Sequence, residues 1–203
     1  MSAERPSVRE EQKKLTRERL LDAAVEVFAQ RSALDVNMDD IAKAAGVARA
    51  TVYAHFTKKS DMVLALAQRQ YEQADEVYSE LATIPEWTRA TIRAWLEGLE
   101  ARWREQALAI RALTLAGPTM AGAGVDAAHE RYLARLADDR ERWHAVPPAE
   151  ARQRVLMALG QIESFFSAAV VAEWKPALED PLELVTDVVC HLLAPALVDD
   201  EPG

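Results

Sequence analysis

VNMDDIAKAAGVARATVYAHFTKKSDM, residues 36–62, reads as two short helices joined by a glycine turn, and the organisation of the whole chain follows from it. Asp39 to Ala45 places Ile41, Ala44 and Ala45 on one face. Gly46 then supplies a position where a left-handed backbone carries no side-chain penalty. Val47 fills the corner, and a second short helix runs from about Arg49 to His55. Ala42, Gly46 and Val52 stand in the order a helix-turn-helix needs: a small residue where the helices touch, a turn glycine, and an apolar anchor on the second helix. Such a pair is a device for reading DNA.

The charge distribution fits that reading. Residues 1–60 hold 11 Lys and Arg against 9 Asp and Glu, net +2, whereas residues 61–203 hold 13 against 24, net -11. The overall charge of -9 therefore conceals a basic stretch, since Lys43, Arg49, Lys58 and Lys59 stand between Ala42 and Ser60 with no acid among them. A local basic patch is the footprint that phosphate binding requires, while an acidic remainder limits indiscriminate binding. The alternative is a solvated charged face without function.

Half of the 203 residues are apolar, enough to bury a core in one large or two small domains. No run reaches the roughly 18 to 20 uninterrupted apolar residues of a membrane span, and the N-terminus is polar, so a soluble cytoplasmic protein with no membrane partner is expected. Cys190 is the only cysteine, which excludes an internal disulfide, and within a helical pattern it reads as a small buried hydrophobe. There is no HExxH, no paired Cys or His ligands, no GxSxG and no glycine-rich phosphate loop after a strand. His129, His144 and His191 are scattered singles. No catalytic residue, metal or cofactor is expected.

The run Ile41-Ala42-Lys43-Ala44-Ala45-Gly46-Val47, followed by Thr51-Val52-Tyr53-Ala54-His55-Phe56 and Lys59, resembles the signature of the TetR family of transcriptional regulators. With Thr16-Arg17, Leu20, Ala24 and Phe28 upstream, the resemblance covers roughly residues 15–62. It departs at Asn37, where the family often has Thr or Ser, at Ala48, where Ser or Thr usually caps the second helix, at Ala50, where Gly is common, and at Ser32, where Gly usually ends the first helix. Asn37 can still cap with its side-chain oxygen; Ala48 cannot.

Outward from the motif, the apolar spacing is helical throughout. Thr16 is a candidate cap for a first helix, with Leu20, Ala24, Val27 and Phe28 on one face as far as about Arg31. Ser60 is a candidate cap for a fourth helix whose Ala67, Tyr71, Ala74, Tyr78 and Leu81 keep one face up to Ile84-Pro85, a rod of roughly 34 Å. A fifth helix carries Ile92, Trp95, Leu96, Leu99 and Trp103, and a shorter sixth spans 107–116. Residues 117–124, GPTMAGAG, hold three of the chain's seven glycines and read as a flexible connection and candidate lid. Three more helices follow: 125 to about 144, Pro147-Pro148 to about Trp174, and one opening at Asp180-Pro181. The expectation is an all-α fold of about nine helices. It divides into a disordered arm (1–15), a helix-turn-helix domain (16–59), a helical effector-binding and dimerisation domain (60–198) and a tail (199–203).

Arg49 and Thr51 at the start of the reading helix are the candidates for base edges, and Ala50 for a thymine methyl. The family resemblance implies phosphate contacts at Tyr53, His55 and Lys59, with Lys43 beside them; His55 has the alternative of packing against Phe56. It further implies a homodimer on a palindromic operator, paired through the last two helices, with Leu159, Val170, Val185, Val188, Val189 and Leu192 as candidates; the alternative is that both apolar stripes are intramolecular core. It also implies a small-molecule effector, for which Trp95, Leu99, Trp103, Met120, Tyr132, Glu163 and Phe166 form an aromatic candidate site. Ordinary core is the alternative for those aromatics. Glu163 lies in an apolar stripe and would face an arginine such as Arg102 or Arg111, border the dimer seam, or await a ligand. The resulting expectation is an effector-released repressor, and the alternative is a ligand-independent or architectural DNA-binding protein.

Overall fold

The computed structural model describes residues 7–31, 35–116, 125–175 and 177–198, with 125–129 as backbone only. Eight α-helices are present among them and no strand: α1 (Val8–Gln30), α2 (Met38–Ala45), α3 (Arg49–His55), α4 (Lys59–Thr83), α5 (Arg89–Ala116), α6 (Val125–Ala137), α7 (Pro148–Phe166) and α8 (Pro181–Leu193). The chain forms two compact units, Met1–Gln70 with Leu108–Ala123, and Tyr71–Ala107 with Gly124–Gly203.

In the first unit, α1, α2 and α3 close over Leu20, Ala24, Phe28, Ile41, Val52 and Phe56, all buried. Asn37 caps α2, its Oδ1 accepting from the amides of Asp39 and Asp40 at 2.9 and 3.0 Å. The Asp40 carboxylate accepts in return from the Asn37 amide at 3.0 Å, completing a capping box. Gly46 ends α2 with φ 63°, and its neighbour's amide, that of Val47, reaches back to the Ala42 carbonyl at 3.0 Å. A side chain at Gly46 would be strained by that φ, so the turn specifies glycine. Ala48 stands at the N-cap of α3 and offers no side-chain bond, as its methyl dictates.

Two boundaries differ from the sequence expectation here. Residues 8–15, expected in a disordered arm, are the first turns of α1, and the cap is Ser7 instead of Thr16. Ser7 Oγ accepts from the Glu10 amide while the Glu10 carboxylate accepts from the Ser7 amide at 2.7 Å, which starts the helix nine residues early. Residues 1–6 and the tail 199–203 lie outside the described residues. Likewise α4 begins at Lys59, so Ser60 lies inside the helix instead of capping it, and the Asp61 carboxylate reaches back to accept from the Lys58 amide at 3.1 Å. The first unit is also larger than the segment 16–59, because Met62, Val63 and Leu66 of α4 and Ala112 and Ala116 of α5 are buried in its core.

In the second unit, Tyr78, Leu81, Trp87, Ile92, Leu96, Tyr132, Leu136, Trp143, Val155, Leu159, Ile162, Phe166 and Val189 form one core. Trp87 and Trp143 meet edge to face at 6.2 Å between centroids, and their indole nitrogens donate to the Leu81 and Leu136 carbonyls at 3.0 and 2.8 Å. The expected fifth and sixth helices are one continuous helix, α5, since Arg104-Glu105-Gln106 interrupts the apolar face without interrupting the backbone. The helix expected to reach His144 ends at Ala137. Beyond Phe166, residues 167–171 widen into a π-helical turn, after which Glu173 takes a left-handed φ of 54°. Pro148–Val171 is apolar and long enough by composition to cross a membrane; Ala151, Val155, Ala158, Leu159, Ile162 and Phe166 of this segment belong to the core.

Candidate nucleic-acid interface

α3 buries one side and presents the other. Val52 is fully buried, Phe56 follows it at the helix end, and Arg49, Ala50, Tyr53 and Ala54 are exposed, with Thr51 and His55 half-buried. This is the 3.6-residue period of a helix seated on a core with its outer face open to a groove. Lys43, at the end of α2, is exposed as well.

Arg49 opens α3 and is already engaged. Its Nη1 donates to Oδ2 of Asp39 at 3.0 Å, its Nε lies 3.0 Å from Oδ1, and its Nη2 donates to the Tyr53 hydroxyl at 3.4 Å. The guanidinium carbon sits 5.4 Å from the Tyr53 ring centroid. The hydroxyl of Tyr53 and the charge of Asp39 both strengthen its hold on its proton. At the far end of the helix, burial and the nearby charges of Lys13 and Arg17 push the His55 imidazole below its ordinary pKa. Arg17 lies over the Phe56 ring at 4.4 Å, so α1 adds cationic side chains beside the end of the reading helix. Lys59 donates to the Val36 carbonyl at 2.7 Å, which ties it to the start of α2. Asp39 and Arg17 carry no periodic signal as site residues in the sequence, because each partner pair is made by the tertiary packing of two helices.

The first unit thus presents a helix-turn-helix whose second helix faces outward and opens on Arg49. A family model for bacterial regulatory proteins of the tetR family matches residues 20–66. The HTH-type transcriptional regulator EthR of Mycobacterium tuberculosis is 31% identical over 182 residues, 85% of this chain and 82% of EthR. The chain belongs to the TetR family. Two further relatives are the HTH-type regulators TtgW and SrpR of Pseudomonas putida, each 36% identical; the matches cover 46% of this chain and 69% of TtgW, and 45% of this chain and 43% of SrpR. In fold, this TetR-family chain is similar to SmeT in its triclosan complex, with a TM-score of 0.67 at 20% identity over 91% of this chain and 92% of SmeT. It is similar also to a TetR-family regulator of Pseudomonas syringae, with a TM-score of 0.64 at 20% identity over 88% and 95%.

Within the second unit of this TetR-family regulator, the aromatic candidates converge. Trp95, Leu99, Tyr132 and Phe166 are buried, and Trp103 stacks on Phe166 at 5.7 Å. Tyr78, not chosen from sequence, lies at the centre, 4.6 Å from Tyr132 and 5.9 Å from Trp95. Its hydroxyl donates to Oε1 of Glu163 at 3.4 Å. Burial first, and then the Glu163 charge, raise the Tyr78 and Tyr132 phenols well above their ordinary range. Of the two arginines named for Glu163, Arg102 pairs with Glu80 at 2.7 Å. Met120 and the candidate lid 117–124 lie outside the described residues.

The α7 and α8 stripes carry a correction. Leu159 and Val189, expected at a dimer seam, are 4% and 1% exposed and belong to the intramolecular core. Val170, Val185 and Leu192 are half-buried, and only Val188 of the candidates is openly exposed. The outward apolar side chains are instead Leu156, Met157, Leu184 and Val188. Of these, Met157 and Val188 line an apolar groove with Leu192, beside Gln161, Asp187 and His191. Among the described residues no group of three potential metal ligands occurs. Cys190 is half-buried against the core.

Proposed function

We propose that this regulator is a cytoplasmic repressor that binds a palindromic operator as a homodimer and is released by a small-molecule effector. The observation that carries the DNA-binding part is the outer face of α3, where Arg49, Ala50, Thr51 and Tyr53 are available to a major groove while Val52 and Phe56 hold the helix to the core. Arg49 and Thr51 read base edges, with Ala50 against a thymine methyl; Lys43, Tyr53, His55 and Lys59 lie along phosphates. One head makes too few contacts for a specific site, so two heads are required, on half-sites about one DNA turn, ~34 to 36 Å, apart.

Dimerisation uses α7 and α8. Four exposed apolar residues on two neighbouring helices support this, because such a patch is costly in water unless a partner covers it. The effector site is the aromatic group around Tyr78 and Glu163, supported by a polar pair placed among buried rings. Effector binds better to a conformation in which α4 takes a different course, the heads no longer match successive grooves, and DNA is released.

The experiment is a reciprocal titration. An effector found by operator release must bind more weakly in the presence of operator DNA, by the same factor by which it weakens DNA binding. The rings of Tyr78, Trp95 and Tyr132 fill space against one another, which favours a second reading, a ligand-independent DNA binder. Operator binding that no compound shifts, with a body that takes up no ligand, would select it.

A further inference from the structure

The Arg49 guanidinium is held from two sides before any DNA arrives, and the geometry points to Asp39 as a residue that sets base specificity by positioning it. This rests on the base-reading role of Arg49 given above. Asp39 meets Nη1 and Nε of Arg49 at 3.0 Å, while Tyr53 meets Nη2 from within the reading helix. An unrestrained arginine spreads over many rotamers and can reach a phosphate as easily as a base. Clamped between an acid on α2 and a ring on α3, its planar fork keeps one orientation, and the outer hydrogens of Nη1 and Nη2 remain to meet guanine O6 and N7.

The Asp39 side chain makes no cap of the helix that carries it, to which it adds only a first-turn charge. The cap of α2 is made by the Asn37 side chain, and the reciprocal bond by Asp40, which also lies 3.5 Å from Arg31. Among the described residues, the recorded partner of the Asp39 carboxylate is Arg49. Its charge at the interface has a second effect, since a carboxylate beside a phosphate backbone opposes binding to every sequence alike. Asp39 thus lowers affinity for random DNA and raises preference for the right base. Both effects increase discrimination.

The test compares wild type, Arg49→Ala, Asp39→Ala and the double variant on the selected operator, on its single-base variants and on random duplex. Asp39→Ala is expected to lower discrimination about 3- to 10-fold at the one base position that Arg49→Ala relaxes. It should raise random-duplex affinity about twofold at moderate salt and lower the melting temperature only slightly, by the loss of a first-turn charge. Asp39→Glu should restore part of the discrimination. In the Arg49→Ala background, Asp39→Ala should still raise random-duplex affinity but change base preference no further. If Arg49→Ala relaxes one position and Asp39→Ala leaves it as selective as wild type, Asp39 has no positioning role. Equal loss of preference with and without Arg49 would contradict the proposal as well. If Arg49→Ala relaxes no position, the base-reading role of Arg49 fails and the proposal falls with it.

Discussion

Lys59, the first residue of α4, donates its ammonium to the carbonyl of Val36 at 2.7 Å, one residue before the cap of α2. The lysine read from sequence as a phosphate contact is thus also a strut between two helices of the head. Lys59→Met should therefore weaken DNA binding to all sequences, reduce its salt dependence, and cost about 1 kcal/mol of stability from the lost hydrogen bond. Thermal melts read alongside binding at several salt concentrations separate the two. A variant that loses DNA affinity with an unchanged melting temperature would show that the strut carries no stability.

Tyr78 and Tyr132 give the second unit an alkaline limit. Their phenols are raised in the folded chain, so their contribution is fully present below the unfolded value of about 10 and is lost as pH rises towards the folded values. Denaturant titrations should show stability falling above about pH 10, and Tyr78→Phe should flatten that fall. Glu163→Leu, which removes the acceptor of the Tyr78 hydroxyl, should cost about 1 to 3 kcal/mol at neutral pH, and Glu163→Gln less. An unchanged alkaline limb in Tyr78→Phe would mean other groups set it.

At the acid end the sign reverses. Asp180 caps α8 and receives Arg93 Nη2 at 2.9 Å, and the Arg93 guanidinium with the capping amides holds its carboxyl below the ordinary value. Its contribution is present above the unfolded value and is lost as pH falls through the folded one. Asp180→Ala should melt lower than Asp180→Asn at pH 7, because asparagine still caps, and the gap between wild type and Asp180→Ala should narrow as pH falls below the ordinary carboxyl value and Asp180 protonates. A gap independent of pH would show that the charge is irrelevant.

The two faces of α7 and α8 make separable predictions. Met157→Glu combined with Val188→Glu, on the outward face, should convert a dimer to monomers in sedimentation equilibrium with little change in helix content. Leu159→Ala, on the inward face, should cost about 2 to 5 kcal/mol and leave the association state intact. Monomers from Leu159→Ala and dimers from the double variant would reverse the assignment.

How far the sequence was readable depended on the range of the interaction. Gly46, Asn37 and the uncapped Ala48 act within a few residues, and each does what its chemistry requires. The early start of α1 was also written locally, in Ser7 and Glu10, but the polar composition around them masked a capping box. On α7, Val155 to Leu159 is apolar all round, so periodicity finds a stripe without telling which side the rest of the chain covers. Leu159 and Val189 went to the wrong side for that reason. Asp39 with Arg49, and Tyr78 with Glu163, lie 10 and 85 residues apart and follow no period; only the packed helices bring them together.

Selection of bound sequences from random duplex DNA at near-physiological salt shows whether the protein reads sequence as a dimer. The expected outcome is an inverted repeat with half-sites about one turn apart, bound by two chains, in which Arg49→Ala relaxes one symmetric base position. Enrichment of single half-sites, or binding that depends on salt and not on sequence, would contradict it.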